Sequence, residues 1–310
     1  MNYDIIGDIH GHADELEVLL QKLGYGLEDG VYKHKKNRQV IFLGDFIDRG
    51  PKIRETLHIA KNMCDFGSAR AIMGNHEFNA IAFHTKNQED GGYFRKHDYK
   101  EIHQHYSTLE QFKLFPEELK MFINWFRELP IFLEIEDKFR VVHACWDQNL
   151  VKYIKAKYDH DKDIFSDDFL RAATGDSASK ENQAIEELLK GKEQKLPQGL
   201  SFKDKDGNLR ENCRVKWWQP SQNRQTFDQL LMFCPDELKG KNLSESDSFY
   251  SYNEEIPVFF GHYWLKGNPK IEHENAICLD YSVAKEGLLV AYKSEFLDKR
   301  NMERADGYVW

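Results

Sequence analysis

Five short apolar runs along the chain end in nearly the same way. Tyr3 to Ile6 leads into Gly7 and Asp8, Val40 to Leu43 into Gly44 and Asp45, Ala71 to Met73 into Gly74 and Asn75, and Val258 to Phe260 into Gly261 and His262. Phe139 to Val142 ends directly on His143. Short runs rich in β-branched and aromatic residues predict strands. A closing glycine lets the backbone turn sharply and lets a ligand come close. Between the first three runs the period changes. Leu16, Leu19, Leu20 and Leu23 share one face of Ala13 to Leu23, and Ile53, Leu57, Ala60 and Met63 share one face of Ile53 to Met63. Strand alternating with helix predicts parallel strands and an α/β fold, with the carboxyl ends of the strands gathered on one rim.

The rest of the pattern is less regular. Tyr106 to Arg127 has helical character broken at Pro116. Ile131 to Ile135 and Phe139 to Val142 predict a strand pair turning at Glu136-Asp137-Lys138, and Ala276 to Leu279 and Leu288 to Tyr292 predict two closing strands. From Tyr158 to Glu255 the chain turns polar and irregular, with a helix expected at Asn182 to Lys190 and a turn at Asp206-Gly207-Asn208. This stretch, 158–255, reads as a lid or insertion within a single domain spanning 1–310.

Composition narrows the class. Apolar residues at 41% and aromatics at 13% of 310 residues supply a core, and 31% charged residues supply a soluble surface. No run approaches the roughly 20 apolar residues that a membrane span needs. No basic-then-apolar targeting segment opens the chain. The five cysteines are scattered and odd in number, which suits reduced thiols in a cytoplasm. A net charge of -9 argues against general affinity for nucleic-acid backbones.

The strand ends supply Asp8 with His10, then Asp45, Asn75, His143 and His262. Carboxylates mixed with imidazoles suit manganese, iron or zinc rather than calcium or structural zinc. Six donors exceed the needs of one ion. Two divalent ions sharing a carboxylate, roughly 3.5–4 Å apart, fit the set better.

Gly7-Asp8-Ile9-His10-Gly11, Gly44-Asp45-Phe46-Ile47-Asp48-Arg49-Gly50 and Gly74-Asn75-His76-Glu77 resemble the three signature motifs of the phosphoprotein phosphatase family of calcineurin-like metallophosphoesterases. That superfamily includes serine/threonine protein phosphatases and bacterial diadenosine tetraphosphatases. The resemblance implies a central β-sandwich flanked by helices and phosphate-ester hydrolysis by a hydroxide held between two metals, with manganese the expected ion. By position it makes Asp8 and His10 ligands of the first metal, Asp45 the bridge, and Asn75, His143 and His262 ligands of the second. His76 corresponds to the general acid, Asp48 to the carboxylate that orients it, and Arg49 to a clamp on the substrate phosphate. Ala144 stands where the family usually has glycine. Arg214 is the candidate for a second phosphate-binding arginine.

Physical chemistry agrees with these roles. Metals lower the pKa of bound water, a guanidinium grips two phosphate oxygens, and a histidine braced by a carboxylate donates a proton near neutral pH. The expected activity is hydrolysis of phosphate monoesters on a phosphorylated protein or a small nucleotide, with dinucleoside polyphosphates as the alternative. A non-catalytic scaffold would have lost ligands, and none is missing here. His12 reads as the start of a helix, and Glu77 as a brace for its turn. His97, His103 and His105 read as solvated surface, and Lys33-His34-Lys35-Lys36 as a solvated loop. Trp217 and Trp218 read first as packing. The stretch 158–255 is nonetheless expected to line the substrate entrance, with Arg214 facing the phosphate and these rings forming a wall.

Overall fold

The computed structural model describes residues 1–89, 91–158, 164–203, 209–219, 226–243, 249–271, 273–298 and 304–310. The first strand, β1 (Asn2–Ile6), is followed by helix α1 (Ala13–Leu23), strand β2 (Arg38–Phe42), helix α2 (Ile53–Asp65) and strand β3 (Ala69–Ala71). β1 runs parallel to β2, with Asn2 opposite Arg38 and Ile6 opposite Phe42, and β2 runs parallel to β3. Helices α3 (Asn75–His84), α4 (Tyr99–Phe112) and α5 (Pro116–Glu128) lead to strands β4 (Phe132–Ile135) and β5 (Phe139–Val142). These two pair antiparallel across a tight turn where Glu136 and Asp137 both take positive φ. The expected helical stretch is thus two helices, the second starting at Pro116, a favoured first-turn position for proline.

The second half completes both sheets. Strands β6 (Val258–Phe260) and β7 (Ala276–Cys278) extend β4 and β5 into a four-stranded sheet ordered β7-β6-β5-β4. Strands β8 (Ala291–Lys293) and β9 (Tyr308–Val309) join the other side of β1, giving the order β9-β8-β1-β2-β3. The strand expected over Leu288 to Tyr292 divides at Val290. Leu288 and Leu289 pair with Asp280 and Tyr281, and only Ala291 onward pairs with β1.

Alternation within the strands sorts the core into two layers. Tyr3, Ile5, Ile41, Phe139, Val141, Phe259 and Ile277 fill the space between the sheets. Ile6, Val40 and Phe42 point the other way, to the layer that holds Leu16, Leu20, Leu57 and Ala60 of the helices. Both faces of β1 and β2 are covered, as parallel strands require. The result is the α/β sandwich with flanking helices expected from the motifs.

Two expectations are corrected. Lys33 and His34 lie in a strand, Val31–His34, hairpinned with Tyr25–Glu28 rather than in a loop. Tyr25, Val31 and Tyr32 are buried and anchor it to the core. Trp217 and Trp218 form no wall at a substrate entrance. Both are buried among Phe260, Tyr252 and Tyr263, and the Trp217 indole donates to the Ala144 carbonyl at 3.0 Å. Burying their area outweighs exposing it.

The stretch 158–255 also carries helices at Asp167–Gly175 and Lys180–Ala184, the latter continuing through a wide turn at Ile185–Leu189. Leu188, Leu189, Leu230 and Tyr252 join the helix-side core. The expected turn at 206–208 lies outside the described residues.

One buried ion pair ties β1 to β2. Asp4 is fully buried and accepts from Arg38 at 2.5 and 2.9 Å and from the Tyr25 hydroxyl at 2.9 Å. Arg38 also reaches Glu295 beside β8 at 2.7 and 2.8 Å. Asp4→Ala strands a guanidinium in the core. The expected loss is about 3 kcal/mol, the low end for breaking a buried pair because Glu295 still holds Arg38. Urea unfolding measures it, and a change below about 1 kcal/mol is inconsistent with this account.

Candidate active site

The rim forms because the loops after the strands bond to one another. Ile9 and His10 donate their amides to the Asp45 carbonyl at 3.1 and 2.8 Å, and Gly11 donates to the Phe46 carbonyl at 2.8 Å. The two sheets meet here. Gly261 donates to the His143 carbonyl at 2.8 Å, and His262 donates its amide to Asp8 Oδ2 at 3.0 Å. Two of the glycines make close approach possible. A Cβ on Gly44 would lie 2.3 Å from the Gly74 nitrogen, and one on Gly261 would lie 2.0 Å from Asp8 Oδ1.

His10, Asp45, Asp48, Arg49 and His262 all have φ between 48° and 70°. Non-glycine residues enter this left-handed region at a cost, and such strain concentrates at functional sites. Glu77 braces the bend, as expected. Its carboxylate accepts from the amides of Asp45 at 2.8 Å, Phe46 at 2.9 Å and Gly74 at 3.1 Å.

Four of the six expected donors, His10, Asp45, His143 and His262, fall in groups spaced for a cation, and Asn75 and Asp8 lie beside them. Among the described residues two His/Asp groups have the spacing of a cation site, His10 with Asp45 and His76, and Asp45 with His143 and His262, the atoms of each lying within 4.8 Å of one another. Asp45 belongs to both. Its Oδ2 lies 3.5 Å from His10 Nε2 and 3.4 Å from His143 Nε2. Asn75 Oδ1 lies 3.1 Å from His143 Nε2. Asp8 is outside both groups but is held against the His262 backbone. His10 Nδ1 donates to the Ile47 carbonyl at 2.8 Å and His143 Nδ1 to the Leu43 carbonyl at 2.7 Å. These bonds orient the rings with Nε2 toward the cluster.

The donor set fits divalent ions. Asp8 Oδ1, His10 Nε2 and His262 Nε2 are buried with no hydrogen-bond partner, and buried polar atoms rarely stay unpaired without a purpose. Burial, aided by Asp280, pushes the Asp8 carboxyl well above its usual range. Burial lowers His10 to about 3 and, with the Arg214 charge, holds His262 well below its usual value. Burial also acts on Asp45, but His143, His76 and His10 outweigh it and hold that carboxyl low. His143 rises to about 10 because Asp45 and Asp8 outweigh its burial.

The second half of the site is a histidine–carboxylate pair. His76 Nδ1 lies 2.5 Å from Asp48 Oδ2, leaving Nε2 directed to the cluster, 4.0 Å from Asp45 Oδ2. Asp48 has further partners that sequence reasoning missed. Its Oδ1 accepts from His105 Nδ1 at 2.9 Å and from the Thr108 hydroxyl at 2.6 Å. His105 is buried, contrary to expectation, and its Nε2 meets His84 Nε2 at 3.1 Å. His97 and His103 are exposed as expected. His12 stands at the helix start without capping it by its side chain. The signal for His105 lay in the spacing of His105, Thr108 and Phe112, one face of α4.

Arg49 is exposed at the rim, 3.4 Å from His76 Nε2, with its guanidinium 4.7 Å from the Trp264 ring centre. Arg214 is half-buried, at the end of the strand Asn212–Arg214, and its charge is felt by His262. Asp280, also missed, is a buried carboxylate after β7, raised to about 6 by burial and the Asp45 charge.

A bis(5'-nucleosyl)-tetraphosphatase of Oceanobacillus iheyensis is 33% identical over 152 residues, which is 49% of this chain and 59% of that protein. The Bacillus subtilis protein of the same name is 46% identical over 76 residues, 24% of this chain and 31% of its own. This chain thus spans less than two thirds of the length of these relatives. A protein serine/threonine phosphatase structure from Saccharomyces cerevisiae aligns with a TM-score of 0.48 at 17% identity, covering 94% of this chain and 72% of its own. A family model described as calcineurin-like phosphoesterase matches residues 1–263, and with that match this chain belongs to the calcineurin-like phosphoesterase family.

Proposed function

We propose that this protein is a metal-dependent phosphatase that hydrolyses phosphate monoesters at the Asp45 cluster. The observation that carries the reading is that Asp45 is shared by two cation-spaced groups, one with His10 and His76 and one with His143 and His262, beside three buried donor atoms left unpaired. Asp8 and His10 would hold one divalent ion, Asn75, His143 and His262 a second, and Asp45 both, with manganese favoured and iron or zinc chemically suitable. Two such ions supply charge neutralisation for the phosphoryl oxygens and acidity for a coordinated water.

The remaining residues act on the substrate. Arg49 grips the phosphoryl oxygens, and Arg214 contributes a second positive charge near His262. His76 gives a proton to the departing oxygen from Nε2. Asp48 fixes the ring through Nδ1, and Asp45 with Asp48 raises the pKa of His76 against its burial. That favours the protonated form an acid needs. Phosphorylated proteins and small nucleotides are the substrate classes in view. Unpaired cysteines are consistent with a reducing cytoplasm, and the 158–255 stretch is read as an insertion within one domain. Hydrolysis of dinucleoside polyphosphates is a second reading, favoured by the names of the relatives.

Three outcomes follow. Exhaustive chelation abolishes phosphatase activity, and manganese restores it best among common divalent ions. Full activity after metal removal would sink the proposal. Asp45→Asn removes the shared charge while keeping the shape, and kcat is expected to fall at least about 100-fold. Unchanged kcat at a metal content of two per chain would reassign the bridge. His76→Asn slows phosphoserine more than p-nitrophenyl phosphate, because nitrophenolate needs little protonation. Equal losses on both substrates would remove His76 from the acid role.

A further inference from the structure

The indole of Trp264 sits between two cations. The Arg49 guanidinium is 4.7 Å from its ring centre and the Lys285 ammonium is 3.4 Å from it. Both cations are exposed, and Arg49 also lies beside His76. A trail of positive charge therefore runs from the reactive centre across one ring to Lys285, on a chain whose net charge is -9. Cation–ring contacts at exposed sites are weak but bias where these flexible side chains rest.

The two loops that carry this trail are clamped together. Buried Asp280 accepts from the Trp264 amide at 2.7 Å and from the Ser282 amide at 2.9 Å. Leu265 donates to the Asp280 carbonyl at 2.9 Å, and the Ser282 hydroxyl donates to the Leu265 carbonyl at 3.1 Å. Trp264, Ser282 and Glu286 have φ of 51°, 63° and 61°. Strained backbone persists only where surrounding contacts enforce it. Here those contacts hold the loop of Trp264 against the loop that leads to Lys285.

We propose that Lys285, resting on the Trp264 ring next to Arg49, forms a subsite for the second phosphate of a phosphoanhydride substrate. The inference rests on the metal-dependent phosphohydrolase site proposed above and deepens its second reading, hydrolysis of dinucleoside polyphosphates. A monoester has one phosphoryl group, and the metal ions with Arg49 already account for it. A polyphosphate chain carries a further anionic group next to the one attacked, and Lys285 is the cation one ring further out. An ammonium suits this task, being a strong point charge for phosphate that does not demand one bidentate geometry.

The experiment compares the manganese-loaded protein with its Lys285→Ala and Lys285→Arg variants. The substrates are p-nitrophenyl phosphate, tripolyphosphate, diadenosine tetraphosphate and a phosphoserine peptide flanked by glutamates. Lys285→Ala is expected to raise KM for the two polyphosphates by about 5–10-fold, as loss of one charge-assisted contact implies, and to leave p-nitrophenyl phosphate within about twofold. Lys285→Arg keeps polyphosphate KM near wild type. Equal losses on all substrates, or no loss on the polyphosphates, would overturn the subsite. A loss confined to the acidic peptide would reassign it to protein substrates. If the wild type hydrolyses none of the four, the phosphohydrolase reading fails, and calorimetric titration then tests the subsite alone. Weaker tripolyphosphate binding with unchanged orthophosphate binding in Lys285→Ala upholds it, and equal changes in both refute it.

Discussion

Asp8 and Asp45 are taken out of water at the place where the two sheets meet, and a carboxylate so placed costs several kcal/mol unless positive charge faces it. Much of the surrounding arrangement answers that constraint. His10 and His143 approach Asp45 with their outer nitrogens fixed on backbone carbonyls, so each presents Nε2 inward. The His262 amide supports one oxygen of Asp8 and leaves the other without a partner. Divalent cations complete such a set better than protons do, because one ion faces several of these donors at once.

Support for that cluster comes mainly from the backbone. Gly44 and Gly74 let two loops touch, and Glu77 fastens three amides with one carboxylate. Burial, with the Asp45 charge beside it, raises Glu77 to about 7. Its hydrogen bonds from Asp45, Phe46 and Gly74 keep it at work as an acceptor all the same. Catalytic side chains on strand ends are precise because rigid strands hold them, while the loops decide which substrate fits.

Much of this was legible in the residues themselves. The apolar-glycine-donor device marked four strand ends and an apolar run without the glycine a fifth, and all five gather in space. The α/β alternation fixed the parallel pairing of β1, β2 and β3 because helices of eleven and thirteen residues must cross between them. The polar helix α4 was harder. Its apolar residues do not mark the inward face: Ile102 is 38% and Tyr106 is 55% exposed while His105 and Thr108 are buried. Asp48 required donors, and that demand, set up 57 residues earlier, overrode hydrophobicity. Trp217 and Trp218 were ambiguous for a similar reason. Their sequence neighbourhood is polar, and the Phe260 surface they cover lies some forty residues further along the chain. Trp264 and Asp280 gave no periodic signal, because each acts through a loop shaped by positive φ or by backbone amides.

The bond from the His262 amide to Asp8 spans 254 residues of chain. Contacts this distant carry a large loop-closure entropy and form after local helices and hairpins. The first three strands supply Asp8, His10, Asp45 and Asn75, but His143 and His262 arrive only with the other sheet. The cluster is therefore complete only when both sheets are docked, and a ligand bound there holds the two sheets together rather than strengthening either one. The site acts as a latch on the docked state, so its occupancy reports whether the chain has finished folding.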